Sequence, residues 1–152
     1  MPPVWSQIIL HHSAGRGVDA AAWEGIRRFH TAPPPEGRGW QDVGYHFGVG
    51  LDARLHGTIF RGRPLTMAGS HCPGHNSTAI GICTLGDFTA SPPPAAQLDQ
   101  LVLLVADLCR RHKIGHMDIH PHRQFRQTEC PGRSFPFLEV RERVLRALAS
   151  AT

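Results

Sequence analysis

A chain of 152 residues, 41% hydrophobic and 18% charged, can bury one core and is too balanced in composition to be disordered. Its formal charge of +4 suits an anionic partner such as nucleic acid, a membrane surface or a wall polymer, and equally a soluble protein that is simply basic. The four cysteines form no C-x-x-C pair and are too sparse for a disulfide scaffold, which argues against a zinc ribbon or a redox motif.

The start "MPPVWSQIIL" has no basic leader, and Ser6 and Gln7 break its apolar run. No signal peptide is expected, and synthesis in the cytoplasm is. No stretch approaches the ~18 apolar residues of a membrane span. Val4 to His12 predicts a first, buried strand. Strand side chains alternate between faces, so His11 and His12 cannot both enter one site.

Val18 to His30 predicts a helix with Ala22, Ile26 and Phe29 on one face and Asp19 near its start. "TAPPPEGRG" is a loop, and "VGYHFGVGLD" with "RLHGTIF" predicts a hairpin around Leu51 to Arg54. After the loop "AGSHCPGHNST", the nearly all-apolar "AIGICTLGDF" suits a central strand. "SPPPAAQLDQLVLLVADLCRRHK" is the clearest helix, with Leu98, Leu101, Val102, Val105, Leu108 and Cys109 as its stripe. Prolines precede its first turn, and Arg110, Arg111 and Lys113 suit the dipole at its end.

"IGHMDIHPHRQFRQTECPG" predicts a short strand running into a polar loop. Ser134 and Pro136 open a last helix with Phe137, Leu138, Val144, Leu145 and Leu148 inward. Arg141, Arg143 and Arg146 lie on its polar face, suited to an amphipathic helix packed on the sheet or to contact with an anionic envelope. Without repeats or a linker, residues 1–152 predict one α/β domain, a central mixed β-sheet flanked by α-helices.

The eleven histidines exceed what packing needs. Cys130 stands eight residues after His122 in a polar, His-rich stretch, and a thiolate beside imidazoles suits Zn²⁺. His116, His120 and His122 alternate in a strand-like stretch and so share a face. A histidine from the first strand would complete a site of two His and one Cys. Three protein ligands leave a fourth position for water, the catalytic arrangement. Spacing of two alone does not separate His120 from His122.

"ILHHSAG", "GWQDVGYHFGVG", "HCPGHNSTAIGICTLGDF" and "HRQFRQTECPG" resemble, in order and spacing, the type 2 N-acetylmuramoyl-L-alanine amidases. That family includes phage lysozyme-like amidases, recycling and autolytic amidases, and animal peptidoglycan recognition proteins. The resemblance runs from about Ile8 to Gly132 and implies a peptidoglycan-recognition-protein-like fold. It implies zinc held by His11, two residues before Ser13, by His122, eight before Cys130, and by Cys130 itself. His12 is then structural, and His120 is the rival to His122.

Tyr45 matches the family's catalytic tyrosine. Thr128 stands where phage lysozyme-like members carry lysine, so it is the second catalytic candidate but cannot supply an ammonium charge. The recycling branch carries Asp in place of Cys130, which argues against that branch. His71 and Asn76 fall in the loop along the family's substrate groove, as groove contacts or as turn residues. His46 is a further substrate-side candidate, and like His30 it fits a place behind the ligands or in the core.

The implied reaction is hydrolysis of the amide between the lactyl group of N-acetylmuramic acid and L-alanine, with Tyr45 aiding the developing oxyanion or the attacking water. No HExxH glutamate is present, which disfavours a thermolysin-like peptidase. A bare catalytic domain suits a monomeric phage-type endolysin acting on cell-wall peptidoglycan. The alternatives are a cytosolic muropeptide-recycling amidase and a non-catalytic peptidoglycan-binding module, although such modules usually lose the cysteine ligand. Nucleic acid is not an expected partner, because only net charge favours it.

Overall fold

A computed structural model describes residues 2–150, so the outermost ends of the expected domain, Met1, Ala151 and Thr152, lie outside the described residues. In chain order the elements are β1 (Gln7–His12), α1 (Ala20–Thr31), β2 (Phe47–Leu51), β3 (Gly57–Arg61), β4 (Ala79–Thr84) and α2 (Ala95–His112), then β5 (Ile119–Pro121) and α3 (Phe137–Ala149). Single 3₁₀ turns, His116–Asp118 and His122–Gln124, flank β5. The five strands form one mixed sheet in the order β3-β2-β4-β1-β5. Among the described residues only the β2–β3 hairpin is antiparallel; β4 pairs in parallel with β1 and β2, and β1 with β5.

The apolar "AIGICT" occupies the middle of the sheet, and all six of its residues are buried. A strand covered on both faces needs no polar alternation. On one face Ile8, Leu10, Ile80, Ile82 and Val49 pack against α2 and α3. On the other, Trp23 of α1 packs with Val43, Cys83 and Leu85. Gly48 makes room for that indole, because a Cβ there would stand 2.5 Å from it.

Asp19 caps α1, its carboxylate accepting the N–H of Ala22 at 3.0 Å. The inward residue of α1 is Trp23, whereas Phe29, expected inside, is 50% exposed. The indole offers far more apolar area than its neighbours and sets the helix rotation. α2 has the stripe read from its spacing, plus a buried Gln97 whose amide donates to Val49 O (2.9 Å) and Leu85 O (2.7 Å). That side chain ties the helix start to the middle of β2 and to the residue just past β4.

In α3 the buried residues are Phe137, Val140 and Val144, and Leu138 and Leu145 face outward. Spacings of three and four keep one narrow face toward α2, and Leu138 lies off it. Arg143 pairs with Asp99 of α2 at 2.7 Å, and Arg141 lies over the Phe137 ring. All four cysteines are free thiols. No helix among the described residues is long and apolar enough to cross a membrane.

Candidate metal centre

His11 sits near the end of β1, on the face opposite Ile8 and Leu10, and is 1% exposed. Parallel pairing sets Ile9 beside His120 and Leu10 beside Pro121. One further residue along that register is His122, which stands level with His11, the ring centroids 4.4 Å apart. Cys130 returns on the following loop, which is closed by the Arg123 N–H donating to Cys130 O at 3.0 Å. One ligand atom from each of His11, His122 and Cys130 lies within 4.8 Å of the other two. Among the described residues no other such group of His, Cys, Asp and Glu side chains occurs.

Register separates His122 from its rival. His120 lies two residues back beside Ile9, its ring edge-on to Phe125 at 5.2 Å. His116 belongs to a separate 3₁₀ turn, so the expected three-histidine face reduces to His120 and His122. His12 turns away, and its Nδ1 accepts the Phe88 N–H at 3.2 Å. Its backbone still serves the site, donating an N–H to Cys130 Sγ at 3.3 Å.

The three donors open on a cleft of about 320 Å³. The half-buried Tyr45 ring lies 5.1 Å from that of His11. Thr128 is exposed at the rim, and its hydroxyl accepts the Cys130 N–H at 3.2 Å, steadying the cysteine backbone. Arg38 and Trp40 also line the cleft, the guanidinium 5.6 Å from the indole. Trp40 falls inside a motif already read, but Arg38 lies in a loop whose sequence carries no spacing signal.

The three substrate-side candidates have internal hydrogen-bond partners, and of them His71 also lines the cleft. His71 is 8% exposed, and both its ring nitrogens have protein partners, His11 Nε2 at 2.9 Å and Ala79 O at 3.0 Å. Asn76 is a turn residue whose carbonyl oxygen accepts the N–H groups of His71 and Cys72, both at 2.9 Å. His46 is 1% exposed, accepts the Gly81 N–H at 3.1 Å and donates to Met67 O at 2.9 Å. Buried polar atoms take such internal partners because leaving them unpaired is costly.

Burial, reinforced by His71, His122 and His12, holds His11 well below the ordinary imidazole range. His122 is lowered by burial and then by Arg126. Burial pushes the Cys130 thiol up to about 11, against the opposing pull of the His12 N–H and Arg123. At neutral pH the site therefore presents two neutral imidazoles and a thiol. Two nitrogens and a sulfur on a partly open cleft, with outer hydrogen bonds already made, are a donor set that fits zinc.

The buried histidines also predict an acid-sensitive fold. Burial lowers His71 to about 3 and, helped by Arg38 and Arg63, His30 to about 4; burial lowers His46 too. In an unfolded chain the same rings take protons at about pH 6.5. The unfolded state therefore binds more protons below that pH, and stability is whole above it and lost as pH falls toward about 4. Urea midpoints should be level above about pH 7 and decline steadily from 6.5 to 4. A flat midpoint across that interval would contradict the assignment.

The family described as N-acetylmuramoyl-L-alanine amidase matches residues 1–133. Peptidoglycan-recognition protein LB of Drosophila melanogaster is 39% identical over 135 residues, covering 82% of this chain and 53% of that protein. The chain thus spans about half the length of that relative. The endolysin of Klebsiella phage KP32 is 34% identical over 125 residues, covering 76% of this chain and 77% of its own. Among solved structures, N-acetylmuramoyl-L-alanine amidase LysC from Clostridium intestinale URNW superposes with a TM-score of 0.79 at 32% identity, over 93% of this chain and 86% of that one.

Proposed function

Because the chain belongs to the N-acetylmuramoyl-L-alanine amidase family, we propose that it is a zinc-dependent amidase. The bond it cuts joins the lactyl group of N-acetylmuramic acid to L-alanine of the peptidoglycan stem peptide. The observation that carries this reading is the convergence of His11, His122 and Cys130 beside Tyr45 at an open cleft.

Those three side chains would hold the metal. When bound, zinc supplies Lewis acidity, which polarises an amide carbonyl and makes water acidic enough to be a nucleophile near neutral pH. Tyr45 keeps its phenolic proton, because burial and the nearby thiols of Cys83 and Cys130 raise its pKa well above the ordinary value. It acts as a hydrogen-bond donor to the oxygen on which charge develops. Thr128 holds the Cys130 backbone and presents its hydroxyl at the rim. Among the described residues no carboxylate lines the cleft, which sets the site apart from metallopeptidases with a glutamate base.

Similarity to a phage endolysin supports a lytic role on the cell wall. Mass spectrometry of products from purified sacculi tests both levels of the reading. Peptides with a free L-alanine amino terminus are expected, absent after chelation and restored by zinc. Intact muramoyl-peptide linkages would refute the amidase and leave a binding module. Cleavage of soluble muropeptides without cleavage of sacculi would refute the lytic role.

A further inference from the structure

Both nitrogens of His71 are used inside the protein, and their partners run in one direction. The loop that carries it is pinned. Asn76 accepts the His71 and Cys72 N–H groups, and Ser70 donates its N–H to Gly44 O at 2.9 Å. The ring lies against Gly81 of β4, where a Cβ would come within 2.5 Å of it. A side chain at position 81 would collide with the imidazole and force it to shift.

The Ala79 carbonyl can only accept, so the proton on the outer edge of His71 is on Nε2, 3.0 Å away. A neutral imidazole has one N–H, and His71 Nδ1 is therefore a bare acceptor. It lies 2.9 Å from His11 Nε2, and a hydrogen bond there requires His11 to carry its proton on Nε2. His11 Nδ1 is then left with a free lone pair, and it faces Cys130 Sγ at 3.8 Å.

We infer that His71 is a positioning residue: the Ala79 carbonyl, acting through His71, sets the tautomer and ring angle of His11 so that Nδ1 is presented to the metal. The assignment rests on the reading of His11 as a metal ligand. Outer partners of this kind typically account for about 10–100-fold in metal affinity. A main-chain carbonyl at the start of β4 thereby governs a ligand at the end of β1, one strand away.

The direct test is long-range ¹H–¹⁵N NMR on the parent protein, zinc-loaded and after chelation. The expected result is Nε2–H on both His11 and His71 in both forms, with the metal on His11 Nδ1. An Nδ1–H tautomer of His11 in the chelated protein, or metal on its Nε2, would overturn the inference without any variant being made.

Zinc competition against a chromophoric chelator supplies the second measurement. His71→Leu, which has no acceptor, should bind zinc about 10–100-fold more weakly. His71→Asn, which places an amide oxygen near the Nδ1 position, should recover part of the loss. Parent-like affinity in His71→Leu would also overturn the inference. A parent that takes up zinc with these tautomers yet cleaves no peptidoglycan would refute the amidase and still support the role of His71.

Discussion

Replacing Cys130 with serine is expected to cost more zinc affinity than the roughly 10–100-fold typical of an outer hydrogen-bond partner, and to remove peptidoglycan hydrolysis with it. The sulfur is the softest of the three donors and the one that binds as an anion. A serine hydroxyl at that place stays protonated and offers a poor, neutral oxygen. The pocket is built for sulfur: the His12 N–H points at Cys130 Sγ from 3.3 Å, and Thr128 and Arg123 tie down the backbone on either side of the thiol.

The thiol also sets the pH response of metal uptake. Because burial raises Cys130 to about 11, zinc binding at neutral pH must displace its proton. Apparent affinity should rise about tenfold per pH unit through the neutral range, and this slope should vanish in Cys130→Ser. Metal content, competition titration and sacculus hydrolysis on both proteins check it. Cys109→Ser, far off in α2, is the control that should keep its zinc. A serine variant with parent zinc content and turnover would remove Cys130 from the site.

Tyr45→Phe should lower turnover roughly 10²–10³-fold, the scale of a single oxyanion donor. Zinc content should not change. The substitution keeps the ring that packs 5.1 Å from His11 and deletes one hydroxyl. Ground-state binding of a muropeptide should be nearly unaltered, since the bond strengthens only as charge develops. The raised pKa of the phenol adds a second signature: no loss of kcat from tyrosine ionisation up to about pH 10. Turnover equal to the parent would assign the oxyanion to another group. A loss of zinc in parallel with turnover would make the tyrosine structural.

Much of the architecture was legible because it follows from local periodicity. The nearly all-apolar "AIGICT" reads as a covered strand, and the stripe from Leu98 to Cys109 reads as a packed helix. Spacing was weaker where one large side chain outweighs a pattern, as with Trp23 against Phe29, or where two leucines lie beside the true stripe, as with Leu138 and Leu145. Gln97 was missed because its value lies in two distant carbonyls, Val49 O and Leu85 O, that no helical pattern reveals.

The sequence by itself determined that strands and helices would alternate in one α/β layer structure, and its motifs, through their resemblance to a known family, implied a metal site of His, His and Cys. The first follows from chain-local periodicity, and the second from ordered motifs and side-chain chemistry, both of which are carried in the order of residues. What the tertiary structure alone supplied is the physical reason for His122 over His120, which the resemblance had implied: the parallel register of β1 and β5 sets His120 beside Ile9, and His122 stands level with His11. The tertiary structure alone gave His71, Asn76 and His46 their internal hydrogen-bond partners, with His71 still lining the cleft. His11 Nδ1 and Cys130 Sγ come within 3.8 Å across 119 positions of chain. The direction of a ring nitrogen at that distance depends on a backbone carbonyl and on the empty space over a glycine, and neither has a period to be read.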